Sequence, residues 1–95
     1  MEFEPILTEY QGSLYDSYVE SAEAYKIGNK TTVILLKLFN GFEIVGTSAC
    51  VDPDNFDMKI GAQYALVDAL YKLDGFVGFL RQETKFYESQ TKDGE

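Results

Sequence analysis

The chain has 95 residues, a net charge of −8, a single cysteine and no histidine. A chain of this length folds around one small core, so we predict one domain over residues 1–95. The absence of histidine excludes the Ser-His-Asp triad, a Cys-His pair and the common zinc sites. The composition therefore excludes these common catalytic and zinc sites, and we predict neither a metal nor a cofactor.

The acidic balance also limits the partners. A net charge of −8 disfavours nucleic acid and anionic membrane, because both bind basic surfaces. The N-terminus lacks the pattern of a signal peptide, and the longest apolar run, around Val33–Leu36, is too short to cross a membrane. The lone Cys50 fits a reducing cytoplasm, where we expect it half-buried near a strand end. A small anionic ligand stays possible, since it needs only a few local donors.

The first half of the chain predicts an acidic segment followed by antiparallel strands over residues 23–48. The segment 1–22 carries aromatic residues at helical spacing, which favours a short helix around Ser13–Ser21. Gly28-Asn29 and Asn40-Gly41 are turn signals, and the second predicts a two-residue β-hairpin turn. The predicted strands are Ala24–Ile27, Thr31–Phe39 and Phe42–Ser48.

The second half predicts a helical part over residues 52–84. Asp52 is a good N-cap before Pro53, and the helix body is predicted over residues 57–73. Gly75 is expected to end this helix. A second short helix is predicted over residues 76–81, and the polar tail 86–95 is expected to be frayed.

The long helix carries two apolar stripes on different sides. At about 100° per residue, the first stripe consists of Ile60, Tyr64, Val67 and Tyr71, and the second of Ala62, Leu66, Ala69 and Leu73. A surface helix normally has one apolar face, so two faces predict a helix between two layers. The second layer is either the C-terminal segment or another subunit. The predicted fold class is α+β: a small antiparallel sheet packed against a long C-terminal helix plus a short second helix, in an oligomer.

Four residues are candidates for contact with a ligand, and each has a structural alternative. Phe42 beside the hairpin turn is either a core anchor or a stacking ring. Asn55 is either a cap or a ligand contact, and Lys72 is either a solvated partner of Asp68 or a cation for an anionic ligand. Arg81 is the only arginine, at a helix end or at a ligand. The carboxylates of the loop do not match a calcium loop, because glycine and glutamate are missing at the required positions.

The spacing of many residues in the middle of the chain resembles a family of small tailed-phage proteins. The shared positions are Asn40-Gly41-Phe42, Gly46-x-Ser48-Ala49, Val51-Asp52-Pro53-x-Asn55-Phe56-Asp57, Ile60-Gly61, Ala65, Ala69 and Leu73-Asp74-Gly75-Phe76. The resemblance covers Thr31–Arg81, and the N-terminal third and the tail lie outside it. This family includes the phage protein that counters the Thoeris defence system by sequestering its signal.

The resemblance implies a protein that binds a small signalling nucleotide without cleaving it. The expected ligands are cyclic ADP-ribose isomers such as glyco-cyclic ADP-ribose, with cyclic oligonucleotides as a second class. The expected assembly is a homo-oligomer in the host bacterial cytoplasm, either a dimer or a hexamer built as a trimer of dimers, with ligands at subunit boundaries. From their positions and chemistry in this sequence, Phe42 would stack on a base, Asn55 would bind ribose or phosphate oxygens, and Lys72 and Arg81 would supply positive charge.

Two other functions remain open from the sequence. An acidic protein of this kind can also present a DNA-like charge pattern that blocks a host nucleic-acid enzyme. A small enzyme is the third alternative, but the chain offers no plausible base or metal site for it.

Overall fold

The computed structural model describes the backbone of residues 4–93 and the side chains of residues 4–90. The elements follow in the order α1 (Glu9–Tyr18), β1 (Val19–Ile27), β2 (Thr31–Leu38), β3 (Glu43–Ala49), a short 3₁₀ turn (Pro53–Asn55) and α2 (Met58–Asp93). The strands form one antiparallel sheet in the order β1-β2-β3, and the helices pack on it. The predicted α+β fold class, with a small antiparallel sheet, a long C-terminal helix and a short helix, is confirmed.

α1 begins earlier than the predicted Ser13 because Thr8 caps it. The Thr8 hydroxyl accepts a hydrogen bond from the Gln11 N–H, and the Thr8 N–H donates to the Gln11 side chain. This reciprocal pair is a capping box, which satisfies two backbone donors at the start of a helix. The helix then runs directly into β1 at Val19, so the predicted first strand, Ala24–Ile27, was five residues too short at its start.

The β2–β3 hairpin is confirmed, but its turn is not the predicted two-residue type. The Gly41 N–H donates to the Leu38 carbonyl at 2.9 Å, and Gly41 has a φ of 90°. Type I′ needs positive φ at both central residues, whereas within residues 4–93 only Gly28 and Gly41 have positive φ. The chain instead makes a longer loop that ends on a left-handed glycine. Phe42 lies in this loop, just before β3.

α2 continues through Gly75, which was predicted to end it. Gly75 and Gly78 both lie inside the helix, and the predicted second helix over residues 76–81 is part of α2. A glycine inside a helix costs about 1 kcal/mol but does not block the backbone hydrogen bonds. The tail from residue 86 was expected to be frayed, and α2 includes residues 86–93 of it; residues 94 and 95 lie outside the described part. α2 makes the molecule elongated, with dimensions of 64 × 23 × 21 Å.

The core lies between one face of the sheet and one face of α2. The sheet contributes alternate residues of β2 together with Ile44, because successive side chains of a strand point to opposite faces. α2 contributes the second predicted stripe, which is buried, and Leu14 of α1 closes one side. The main hydrophobic cluster of the core consists of Leu14, Val19, Ile34, Leu36, Leu38, Ile44, Ala65, Leu66, Ala69, Leu70, Leu73 and Val77.

The first predicted stripe of α2 is not covered by a second layer within the described chain. Tyr64 and Tyr71 are 64% and 79% exposed, and Ile60 is also exposed. α1 reaches only the part of this stripe around Val67. The helix is therefore buried on one side, and its covering by another subunit stays a prediction.

α2 crosses β3 at van der Waals distance because the residues at the crossing are small. A Cβ placed on Gly46 would lie 2.1 Å from the Ala65 carbonyl oxygen and 2.6 Å from the Ala69 nitrogen. Both contacts are with backbone, which cannot move aside as a flexible side chain can. Ala65 and Ala69 thus pack against the chain's own sheet.

We expect Gly46→Ala to destabilise the fold by about 3 kcal/mol, because the added methyl group must push α2 away from β3. Gly12→Ala is the matched control, since nothing lies within 4 Å of its added Cβ in α1. That control should gain about 0.5–1 kcal/mol of helix stability. Urea unfolding followed by circular dichroism measures both. Equal free energies of unfolding for the two variants would contradict this account of the crossing.

Candidate functional site

A groove lies where the β3–α2 loop folds back over the first turns of α2. The loop is shaped by Asp52, whose carboxylate accepts from the Asp54 N–H at 3.0 Å and the Asn55 side chain at 3.3 Å. Asp57 caps α2 by accepting from the Lys59 N–H at 2.9 Å. We call the resulting cavity of about 200 Å³ the loop groove. Its walls include Lys30, Thr32, Ser48, Asn55, Phe56 and Tyr64.

The loop groove offers aromatic faces and a few polar groups. Tyr64 presents a largely exposed ring, and Phe56 is half-buried with the Lys26 ammonium 4.4 Å from its ring centre. Lys30 and Asn55 add an exposed ammonium and an exposed carboxamide. A flat ligand with polar edges could stack on the rings and bind the polar groups, which is the usual composition of a small-molecule site.

The floor of the groove is tight because Gly61 of α2 lies against Thr32 of β2. A Cβ on Gly61 would lie 2.1 Å from the Thr32 hydroxyl oxygen. Thr32 is 1% exposed, and its hydroxyl has no hydrogen-bond partner among the described residues. The neighbouring Ser48 hydroxyl donates to the Gly61 carbonyl at 2.7 Å and so holds the helix start to β3.

Lys72 does not reach the loop groove; it covers the free edge of β3. Its ammonium donates to the Val45 carbonyl at 2.8 Å and lies 3.3 Å from the Asp68 carboxylate. Asp68 in turn accepts from the Thr47 N–H at 2.9 Å. These two side chains bond backbone groups that an edge strand otherwise leaves open.

Phe42 and Arg81 lie in two further places. The Phe42 ring packs edge-on against Phe76 of α2, with 5.5 Å between ring centres, and stays half exposed. Arg81 is exposed on the distal part of α2. A hydrogen bond to Asp74 is the main cause that raises the pKa of Tyr10, and the positive charge of Arg81 partly opposes this shift. Of the four predicted ligand contacts, only Asn55 lies in the loop groove of its own chain.

Five of the named wall residues were not among the predicted ligand contacts: Lys30, Thr32, Ser48, Phe56 and Tyr64. Tyr64 was assigned to an apolar stripe, although its phenol on an exposed helix face was a usable signal. Lys30 follows the Gly28-Asn29 turn and belongs to the site because β2 begins next to β3's end. Thr32 carried no signal in the sequence, since only the approach of Gly61 shows that its hydroxyl is buried. Cys50 is half-buried just after β3, as expected.

The comparison with family models identifies the relatives of the chain. Residues 9–84 match the model of the Phage protein (N4 Gp49/phage Sf6 gene 66) family. The chain belongs to this family. The match begins at Glu9, the first residue of α1. The resemblance was expected to begin only at Thr31, so the predicted N-terminal limit was wrong. Neither a curated protein nor a solved structure matches the chain significantly.

No helix within residues 4–93 combines the length and apolar character that a bilayer crossing requires.

The cover of the β3 edge predicts a defined pH dependence of stability. Hydrogen bonding from the Thr47 N–H, with a smaller contribution from Lys72, lowers the pKa of Asp68. A carboxyl group with a lowered pKa stabilises the fold above its unfolded pKa of about 4 and loses that contribution as the pH falls through its folded pKa. The side chain is more than a third exposed, so we expect less than about 1 kcal/mol.

Asp68→Asn keeps an acceptor for the Thr47 N–H but removes the charge. We expect wild type to be more stable than this variant at pH 7 and the difference to shrink below about pH 4. Urea unfolding of both proteins from pH 2 to pH 7 measures it. A difference that does not change with pH would show that the charge of Asp68 is not what stabilises the edge.

Proposed function

We propose that this phage-family protein binds and sequesters immune signalling nucleotides without cleaving them. The proposed ligands are cyclic ADP-ribose isomers such as glyco-cyclic ADP-ribose, with cyclic oligonucleotides as a second class, and the proposed effect is suppression of Thoeris-type defence in the host cytoplasm. The observation that carries the proposal is the loop groove, in which Tyr64 and Asn55 face an open cavity beside Lys30. Membership of a phage protein family supports the viral setting.

The groove residues divide the work of nucleotide recognition. The Tyr64 ring is the stacking face for adenine, a contact that contributes about 1–3 kcal/mol per base. The Asn55 carboxamide hydrogen-bonds ribose or phosphate oxygens, and Lys30 neutralises phosphate charge. The two loop carboxylates nearest the groove are already used by backbone N–H groups: Asp52 accepts from Asp54 and Asp57 from Lys59. These hydrogen bonds orient the two carboxylates toward the backbone of the loop and of the first turn of α2.

The size of the loop groove supports a site that two subunits share. Pockets for drug-sized ligands measure about 300–1,000 Å³, whereas this groove measures about 200 Å³. A cyclic dinucleotide-sized ligand therefore needs a further wall. Phe42, Lys72 and Arg81 lie away from the groove of their own chain, so they can take part in the site only if a second chain supplies them.

An exposed apolar surface on α2 supports self-association. From Phe76 onward the helix carries apolar residues that are at least half exposed and lie on one side. We call this surface the distal stripe: Phe76, Phe79, Leu80, Phe86 and Tyr87. Contiguous exposed apolar surface of this kind marks a protein contact. The proposed assembly is a dimer, or a hexamer built as a trimer of dimers.

The nucleotide proposal is tested by calorimetric titration of the purified protein with a panel of cyclic ADP-ribose isomers and cyclic oligonucleotides. We expect Tyr64→Ala to lower the affinity at least about tenfold, because it removes the stacking face. Tyr71→Ala is the matched control, since it truncates an exposed tyrosine on the same helix outside the groove. It should bind like wild type.

Ligand released by heating the complex should be chemically unchanged in chromatography. No binding anywhere in the panel, or recovery of a cleaved product, would overturn sequestration. Salt-dependent binding to a host nucleic-acid enzyme without nucleotide binding would favour the DNA-mimic alternative instead.

The distal stripe is tested by light scattering without nucleotide. We expect wild type to have a multiple of the mass of one chain and Phe79→Lys to have a smaller mass, because a buried ammonium without a partner is costly. Glu88→Lys adds the same group on another side of α2, where no residue of the distal stripe lies three or four positions away, and should leave the mass unchanged. A wild-type protein with the mass of one chain would contradict the proposed oligomer.

A further inference from the structure

The two edges of the sheet are treated differently. On β3, the outward carbonyl of Val45 and the outward N–H of Thr47 are bonded by Lys72 and Asp68. β1 forms the opposite edge and is nine residues long. Natural proteins cover or disrupt long edge strands because open backbone groups pair with other strands. The long edge of β1 is therefore a candidate for pairing with another strand.

The hydrogen-bond pattern shows which groups of β1 point outward. The Leu38 N–H donates to the Phe42 carbonyl and the Cys50 N–H to the Lys30 carbonyl, so even-numbered residues of β2 bond to β3. In an antiparallel sheet the odd-numbered residues then bond to β1, where they pair with Ser21, Glu23 and Tyr25.

The residues between them, Ala22, Ala24 and Lys26, thus direct their backbone N–H and carbonyl groups away from the sheet. Within residues 4–93 these groups have no hydrogen-bond partner. Two of the three side chains are single methyl groups, which leave the edge open to an approaching strand.

We propose that β1 pairs with β1 of a second copy of this chain, antiparallel and centred on Ala24, to form a six-stranded sheet across a two-fold axis. This register pairs residues 21–27 of both copies and places Glu23 opposite Tyr25. A shift of two residues one way sets the two Glu23 carboxylates opposite each other, which is destabilising. A shift the other way removes Ser21 from the pairing. The register centred on Ala24 is therefore the longer of the two that avoid this repulsion.

The same register connects the interface to the loop groove. Ser21 of the second copy lies opposite Ile27, next to the β1–β2 turn that leads to Lys30. Lys26, one residue away, already reaches the Phe56 ring at the groove wall. The start of β1 of the second copy thereby comes to the end of the sheet where the groove opens. This inference rests on the proposed self-association and is independent of nucleotide binding.

The pairing is tested with two alanine-to-proline variants. Ala24→Pro removes an outward N–H without breaking a bond inside the chain, so an edge strand tolerates it. Ala49→Pro on β3 is the matched control, because Ala49 also directs its N–H outward, at the other edge. In light scattering without nucleotide, we expect Ala24→Pro to have half the mass of wild type and Ala49→Pro to keep the wild-type mass.

Cross-linking covers the case in which a proline variant fails to fold. Paired residues at the centre of the register have Cα atoms about 5.5 Å apart, within the range that a disulfide bridges. In a Cys50→Ser background, Ala24→Cys should form a disulfide-linked dimer on mild oxidation, and Ala49→Cys should not. Equal cross-linking of the two cysteines, absence of the Ala24→Cys dimer, or an unchanged mass of folded Ala24→Pro would overturn the β1 interface. Each result is obtained without nucleotide, so failure of nucleotide binding does not affect it.

Discussion

The contact of α2 with β3 at Gly46 is the constraint on which the other features depend. A side chain at this position would overlap the backbone of Ala65 and Ala69, so the sequence of both elements must be small where they cross. This approach lets Lys72 and Asp68 reach over the edge of β3, since both are on the flank of the same helix face. It also brings Gly61 onto Thr32 and so fixes the floor of the loop groove. One crossing thus determines the core, the covered edge and the candidate site.

A helix held in this way cannot bury all of its apolar residues on a three-stranded sheet. Its contact with the core ends near Val77, whereas the helix continues to Asp93. Tyr64 and Tyr71 lie on the side away from the sheet, and the distal stripe lies beyond the sheet's end. In the described part of the chain, helices cover only one face of the sheet. The uncovered surfaces are therefore a direct consequence of a long helix on a small sheet.

The sequence predicted the elements that local chemistry determines. Asn40-Gly41 marks the hairpin, Asp52 caps the turn before the long helix, and the stripe around Leu66 is buried as an amphipathic face should be. The Thr8-x-x-Gln11 pattern is also a sequence signal for a capping box, and it predicts the observed start of α1. The sequence did not predict that α2 continues through Gly75. Glycine costs a helix only about 1 kcal/mol, so the packing of the residues on either side decides whether the helix ends there.

The candidate site was predictable only in part, because it depends on contacts that are distant in the sequence. Asn55 was found from the loop chemistry. Lys30 and Tyr64 join it only because β2 and α2 meet there, 34 residues apart in the chain. Phe42, Lys72 and Arg81 were chosen by residue type, and all three lie outside the groove of their own chain. The small groove, the open β1 edge and the exposed surface of α2 are each incomplete in one chain, and each is suited to contact with a second copy. In the proposed pairing, β1 of the second copy covers the open edge and lies near the groove opening, so this strand links the proposed assembly to the candidate site.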